Sequence, residues 1–157
     1  IFDTAFNTGS GQDMVMLPDD SVIVATPLAA THPTLGVAPR FGLVSATANG
    51  APSTPRDTII GPDNDVPRAL LRLADGRLLM AGLASTRDRG GDFGIARYLP
   101  DLSPDAAFGT GGVLQVDFYG SADDAAAAAL QPDGRVVIVG GARNGANVRL
   151  GIVRLMP

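Results

Sequence analysis

Short apolar runs alternate along the chain with clusters of Gly, Pro, Asp and Asn. Runs bounded in this way read as short strands joined by turns. Three turn-plus-strand segments resemble one another: Leu-Pro-Asp-Asp-Ser-Val-Ile-Val-Ala (17–25), Leu-Ala-Asp-Gly-Arg-Leu-Leu-Met-Ala-Gly (73–82) and Leu-Gln-Pro-Asp-Gly-Arg-Val-Val-Ile-Val-Gly (130–140). Their turn acids, Asp19, Asp75 and Asp133, stand 56 and 58 residues apart. A second element follows each, as Phe-Gly-Leu-Val (41–44), Phe-Gly-Ile-Ala-Arg (93–97) and Leu-Gly-Ile-Val-Arg (150–154). A third occurs twice, as Asp-Thr-Ala-Phe-Asn-Thr-Gly (3–9) and Asp-Ala-Ala-Phe-Gly-Thr-Gly (105–111), at a distance of 102. Three independent markers therefore agree on a repeat of roughly fifty residues.

The repeat unit has a legible physics. Asp75-Gly76 lies between two apolar runs, and Gly tolerates the positive φ that a tight hairpin demands. Pro132-Asp133-Gly134 fits a type I turn followed by a left-handed Gly, a hairpin with a bulge. Asp19, Asp75, Gly76, Asp133 and Gly134 are therefore assigned as structural turn residues. Val136 to Val139 is β-branched throughout and predicts a strand buried on both faces. Asn144-Gly145 and Arg89-Gly90-Gly91 mark a second, looser hairpin. Four strands are expected in the third copy, near 113–118, 125–130, 135–140 and 149–155. The five alanines from Ala125 to Ala129 favour helix by propensity. Six residues between turns is short for a helix, and small side chains suit an inner strand, so a strand is expected.

Residues 108–118 (Phe-Gly-Thr-Gly-Gly-Val-Leu-Gln-Val-Asp-Phe), Asp123-Asp124, the 130–140 segment and Gly-Ile-Val-Arg-Leu (151–155) together resemble the delta-60-type β-propeller repeat family of bacteria. The match is close over 101–157, fair over 66–100 and weak over 1–47. The resemblance implies propeller blades in secreted or surface proteins, and no catalytic residues. The expected fold is all-β: three imperfect four-stranded antiparallel propeller-type blade repeats in a single domain, 1–157. The copies run approximately 1–47, 48–100 and 101–157. The first is truncated, because Phe6 lies 13 residues before Asp19 whereas Phe108 lies 25 before Asp133, a deficit of 12. The middle copy keeps a diluted form of the missing strand, Asp57-Thr58-Ile59-Ile60. Propellers close with about four to eight blades, so three copies imply a small ring or a portion of a larger assembly.

Composition narrows the function. The charge is −4, every basic residue is Arg and every acid Asp, with no Lys, Glu, Cys or Trp. A nucleic-acid partner would want a basic surplus. The longest apolar stretches are too short to span a bilayer. The sequence begins at Ile1 rather than Met, which reads as a processed or excised segment. With the resemblance, this gives an expected bacterial extracellular or cell-surface location.

Candidate chemistry is thin. His32, the single histidine, sits between Thr31 and Pro33 and reads as a loop residue rather than a general base. Asp63, Asp65, Asp123 and Asp124 offer oxygen ligands for calcium, but EF-hand spacing is missing, and turn acids capping N–H groups are the stronger reading. Gly109, Gly111 and Gly112 lack the Gly-Lys-Ser/Thr and helix of a phosphate loop. Arg77 and Arg135, and Arg97 and Arg154, recur at fixed positions and read as ion-pairing or stem-packing residues of the unit. Tyr98 and Tyr119 complete the reactive inventory. No catalytic, cofactor or metal residue is assigned. The expectation is a non-catalytic extracellular structural subunit that associates with copies of itself through β-strand edges into an oligomer or filament. Ile1, Phe2 and Phe6 would supply the strand missing from the first copy. The alternatives are a propeller-type module binding a glycan or protein and, less favoured, an Asp-based hydrolase.

Overall fold

The computed structural model describes residues 10–32, 36–86 and 90–156. Eleven strands and no helix are found among them, so none is long and apolar enough to cross a membrane. The strands form three antiparallel sheets. The first is β1 (Asp13–Met16), β2 (Val22–His32), β3 (Gly36–Ala46) and β4 (Arg56–Thr58), in that order. The second is β5 (Asp65–Arg72), β6 (Leu78–Ala84), β7 (Asp92–Tyr98) and β8 (Val113–Val116). The third is β9 (Asp123–Leu130), β10 (Val136–Asn144) and β11 (Asn147–Leu155). The all-β, propeller-type reading stands, and the alanine run forms the strand β9.

The sheets are offset from the sequence copies by one strand. The 113–118 strand, expected in the third copy, pairs with β7 and closes the second sheet. Likewise β4, from the middle copy, closes the first. The leading strand of the second copy and that of the third thus hydrogen-bond to the preceding sheet. The 12-residue deficit in the first copy therefore leaves the first sheet with four strands. The three-stranded sheet is the third, where four strands were expected, and its open edge is β11.

The turns repeat in detail. In the 73–77 turn, Gly76 N–H donates to Leu73 O (3.0 Å) and Leu73 N–H to Arg77 O (2.8 Å). The same pair of bonds recurs at 131–135 and 17–21. Gly76 and Gly134 hold φ of 86° and 83°, and Asp20 takes the place with φ 61° in the first copy. The carboxylates of Asp19, Asp75 and Asp133 each accept the N–H two residues on. The Ser21 hydroxyl, the Arg77 side chain and the Arg135 N–H respectively hold the pKa of these carboxyls below the ordinary carboxylate value.

Two cores lie between the sheets. Ile23, Ala25, Phe41 and Leu43 of the first sheet meet Leu70, Leu78, Met80, Ala96 and Tyr98 of the second. On its other face, Leu79, Ala81, Phe93 and Ile95 meet Ala125, Val136 and Ile138 of the third. The innermost strands set this stacking: β5 packs on β1, β2 and β3, and β9 on β5, β6 and β7. The first and third sheets share no comparable contact among the described residues. The arrangement is three blades in series, an open arc.

Candidate functional site

The most elaborate polar site lies on the outer portion of the second blade. Arg97 is the penultimate residue of β7, and Asp105 follows eight residues later, after a tight turn at 99–103. Asp105 N–H donates to Arg97 O (2.9 Å), which holds the returning segment against the strand. The Asp105 carboxylate then accepts Arg97 Nε at 2.8 Å and Arg77 Nη1 at 3.2 Å. Arg77 also pairs with Asp75 at 2.6 Å. The Arg97 guanidinium stacks 4.6 Å above the Phe108 ring, a cation–π contact. Burial acts to raise the Asp105 carboxyl, but the Ala107 N–H and the two arginines outweigh it and hold it below its usual value. This latch fastens residues 105–111 onto the blade and delivers the chain to β8.

The latch is a feature of the repeat. In the first blade Ser45 occupies the place of Arg97 and Ser53 that of Asp105. Ser53 N–H donates to Ser45 O (2.8 Å), and their hydroxyls meet at 2.7 Å. In the third blade Arg135 and Arg154 stand where Arg77 and Arg97 stand in the second. Arg135 pairs with Asp133 at 2.6 Å as Arg77 does with Asp75. Arg154 is exposed, and no Asp or Phe counterpart to Asp105 and Phe108 sits on it among the described residues.

The third sheet also presents an uncovered apolar face. Side chains alternate along β11: Val153 and Leu155 pack toward the second sheet, whereas Val148, Leu150 and Ile152 point away and are 63%, 71% and 55% exposed. Ile152 lies opposite Val139, and Val139 opposite Ala127, so the face is apolar across all three strands. Leu150 and Ile152 correspond by repeat to Phe93 and Ile95, which are fully buried in the second core. At the other end of the arc, Met14 and Met16 are 52% and 60% exposed. They stand opposite Val24 and Val22, on the side of the first sheet away from the second.

The acids proposed for calcium are not gathered together. Asp65 lies at the junction of the first and second blades, fully buried, and accepts N–H groups from Ile60, Gly61 and Ser85. Burial pushes its carboxyl up to about 6, against those bonds and the buried Arg40 guanidinium 3.8 Å away. Asp123 is likewise buried, at the junction of the second and third blades, and accepts the N–H groups of Phe118 and Arg143. The close acids are instead Asp92, Asp117 and Asp123, with one oxygen of each within 4.8 Å of the others. Gln115 donates to Asp92 (2.9 Å), and Asp117 accepts the N–H groups of Tyr119 and Gly120. Asp63 and Asp124 stand apart from this group, Asp124 pairing with Arg68 at 3.5 Å.

The remaining candidates are scattered. His32 was expected in a loop but ends β2, its backbone paired with Gly36, because β2 runs on past Pro27. Gly109, Gly111 and Gly112 lie in the turn between the latch and β8, followed by a strand. Tyr98 is buried and donates to Thr58 Oγ1 (2.9 Å), while Tyr119 is exposed. An open cleft of about 250 Å³ between Leu83, Ala122, Asp123, Arg143 and Val148 is mostly apolar. Ile1, Phe2 and Phe6 lie outside the described residues. Sequence reasoning missed Asp105 and Phe108 as partners of the recurring arginines. The signal was present, since both belong to the segment repeated at 3–9 and 105–111.

Residues 73–108 and 131–157 match the family model described as "Domain of unknown function (DUF5122) beta-propeller". The two matched segments carry the Asp-Gly-Arg turn, and the first runs through β6, β7 and the latch. The resemblance to a β-propeller repeat family is thereby shown. No curated protein matches the chain.

Proposed function

We propose that the chain is a non-catalytic, propeller-type structural module that associates head to tail with copies of itself. The observation that carries this reading is the pair of exposed apolar end faces, Val148, Leu150 and Ile152 on one side and Met14 and Met16 on the other. An uncovered apolar sheet face of this kind marks an interaction surface. Stacking the first sheet of one copy on the third sheet of another repeats the operation that already relates the three blades. Two copies supply six blades, within the range of about four to eight at which propellers close. A rotation that does not close produces a filament instead. In this reading stacked sheet faces, rather than the expected strand edges of the first copy, carry the association.

The extracellular or cell-surface setting draws its support from the bacterial repeat resemblance. A propeller-type module for a glycan or another protein is the second reading, favoured by the same exposed face, and a glycan array separates the two. The test of the first is the Leu150→Asp variant. It should remain folded by circular dichroism yet sediment at the mass of one chain while the parent sediments higher. A variant that associates as the parent does would remove the end-face reading.

A further inference from the structure

We infer that the arginine pair of the third blade, Arg135 and Arg154, is a receptor for residues 3–9 of a second copy. The inference rests on the head-to-tail reading above and names the segment that makes the junction. On the second blade the corresponding pair, Arg77 and Arg97, grips one carboxylate, Asp105, at 3.2 and 2.8 Å, and Arg97 stacks on Phe108 at 4.6 Å. The segment they hold reads Asp-Ala-Ala-Phe-Gly-Thr-Gly (105–111). The same spacing of Asp and Phe recurs in Asp-Thr-Ala-Phe-Asn-Thr-Gly (3–9). Asp3 then corresponds to Asp105, and Phe6 to Phe108.

Three features fit this occupant. The receptor has the same chemistry as the occupied one, since Arg135 and Arg154 match Arg77 and Arg97 in type and position, and Arg135 is already braced by Asp133 at 2.6 Å. A guanidinium recognises a carboxylate and an aromatic face together, which an ammonium does less well. The connectivity agrees as well. Residues 105–111 latch onto the second blade shortly before the chain enters the third, whose first strand begins at Asp123. Residues 3–9 precede β1, which begins at Asp13. A second copy held by residues 3–9 therefore starts its first sheet where the next blade belongs, over Leu150 and Ile152. The 12 residues absent between Phe6 and Asp19 are those of a β8-like strand, so the junction is made by the latch and the stacked faces.

A charge exchange tests this. Asp3→Arg and Arg154→Asp each place like charges at the junction, so each variant alone should sediment at the mass of one chain. Mixed in equal amounts, they restore opposite charges at every mixed junction. The introduced arginine of one variant meets the introduced aspartate of the other, and the unchanged Asp3 meets the unchanged Arg154. The assembled mass of the parent should then return. Circular dichroism of each variant alone checks that the blades remain folded. A single variant that assembles like the parent overturns the inference. So does a mixture that stays at single-chain mass while the variant carrying both changes recovers, which places the contact within one chain. If the parent assembles and ignores both substitutions, the latch is wrong and the stacking reading survives. If the parent is itself a single chain, the stacking reading fails.

Discussion

Two glycines, Gly82 and Gly140, occupy the same place in the second and third blades, and replacing either by alanine should be among the most damaging small changes in the chain. Each faces a bulge in the innermost strand of its sheet. The register shifts between Pro67 and Ala69 opposite Gly82, and in the third sheet between Val139 and Gly140. The bulge brings backbone toward the glycine. A Cβ on Gly82 would stand 2.1 Å from Val66 O, and one on Gly140 2.0 Å from Asp124 O. Ordinary contact begins near 3.4 Å, so the neighbouring backbone must retreat by more than an ångström. That backbone belongs to β5 or β9, the strands on which the adjacent blades pack, so it has little room to move. Overpacking typically costs about 1–3 kcal/mol, and a backbone wall places these sites near the upper end, at about 3 kcal/mol. For a chain of this size that is a fall of about 6–12 °C in Tm. In the first blade, whose β1–β2 pairing shows no such shift, Thr26 fills the equivalent place with its hydroxyl donating to Ser10 O at 3.2 Å. Thr26→Ala should cost only about 1 kcal/mol. Thermal and urea unfolding of the three variants makes the comparison. If Gly82→Ala or Gly140→Ala falls within about 0.5 kcal/mol of the parent, the bulge account of the inner strands is refuted.

Asp65 should make stability depend on pH in an unusual sense. Its native carboxyl titrates near 6 and its unfolded one near 3.8, so the native state holds the extra proton between them, and the Asp65 contribution falls as pH rises through that window. The stability difference between the parent and Asp65→Asn should therefore shrink from pH 4 to pH 7 by on the order of 2 kcal/mol, and a flat or rising difference would contradict it. Asp20→Gly should raise stability by about 0.5 kcal/mol, because Asp20 holds φ 61° where the other copies have Gly; a loss in chemical denaturation would count against the shared turn. Arg97→Met should lower the unfolding midpoint more than Arg135→Met, since Arg97 carries both the Asp105 ion pair and the Phe108 contact and Arg135 only its local pair; equal effects would dismiss the latch as a stabilising unit.

Local chemistry was legible in the sequence, and long-range assignment was not. The turns at Asp19, Asp75 and Asp133 could be read because Gly at positive φ and a carboxylate accepting the N–H two residues on are both local. The strand at 125–130 could be read because the length of the run overrode alanine's helix propensity. The offset of sheets against copies could not. In a tandem repeat a connecting strand can pair with the sheet before it or after it, and periodicity is the same either way. The choice is made by contacts such as Ile95 opposite Leu114, which no spacing reveals. The acids fail for the same reason. Asp92, Asp117 and Asp123 come together because β7, the segment after β8 and β9 converge, whereas Asp63 and Asp65, near in sequence to each other, belong to a different junction. The apolar outer face of β11 lay in plain alternation at Val148, Leu150 and Ile152, but its exposure follows only once the third sheet is seen to end the arc.

Head-to-tail association depends most directly on whether the arc remains open in solution. Sedimentation equilibrium of the parent chain over a wide concentration range measures this without any substitution. Head-to-tail stacking predicts a species of twice the 16.0 kDa chain mass, or a longer series if the rotation does not close, dissociating on dilution. A single species of 16.0 kDa at every concentration would contradict it.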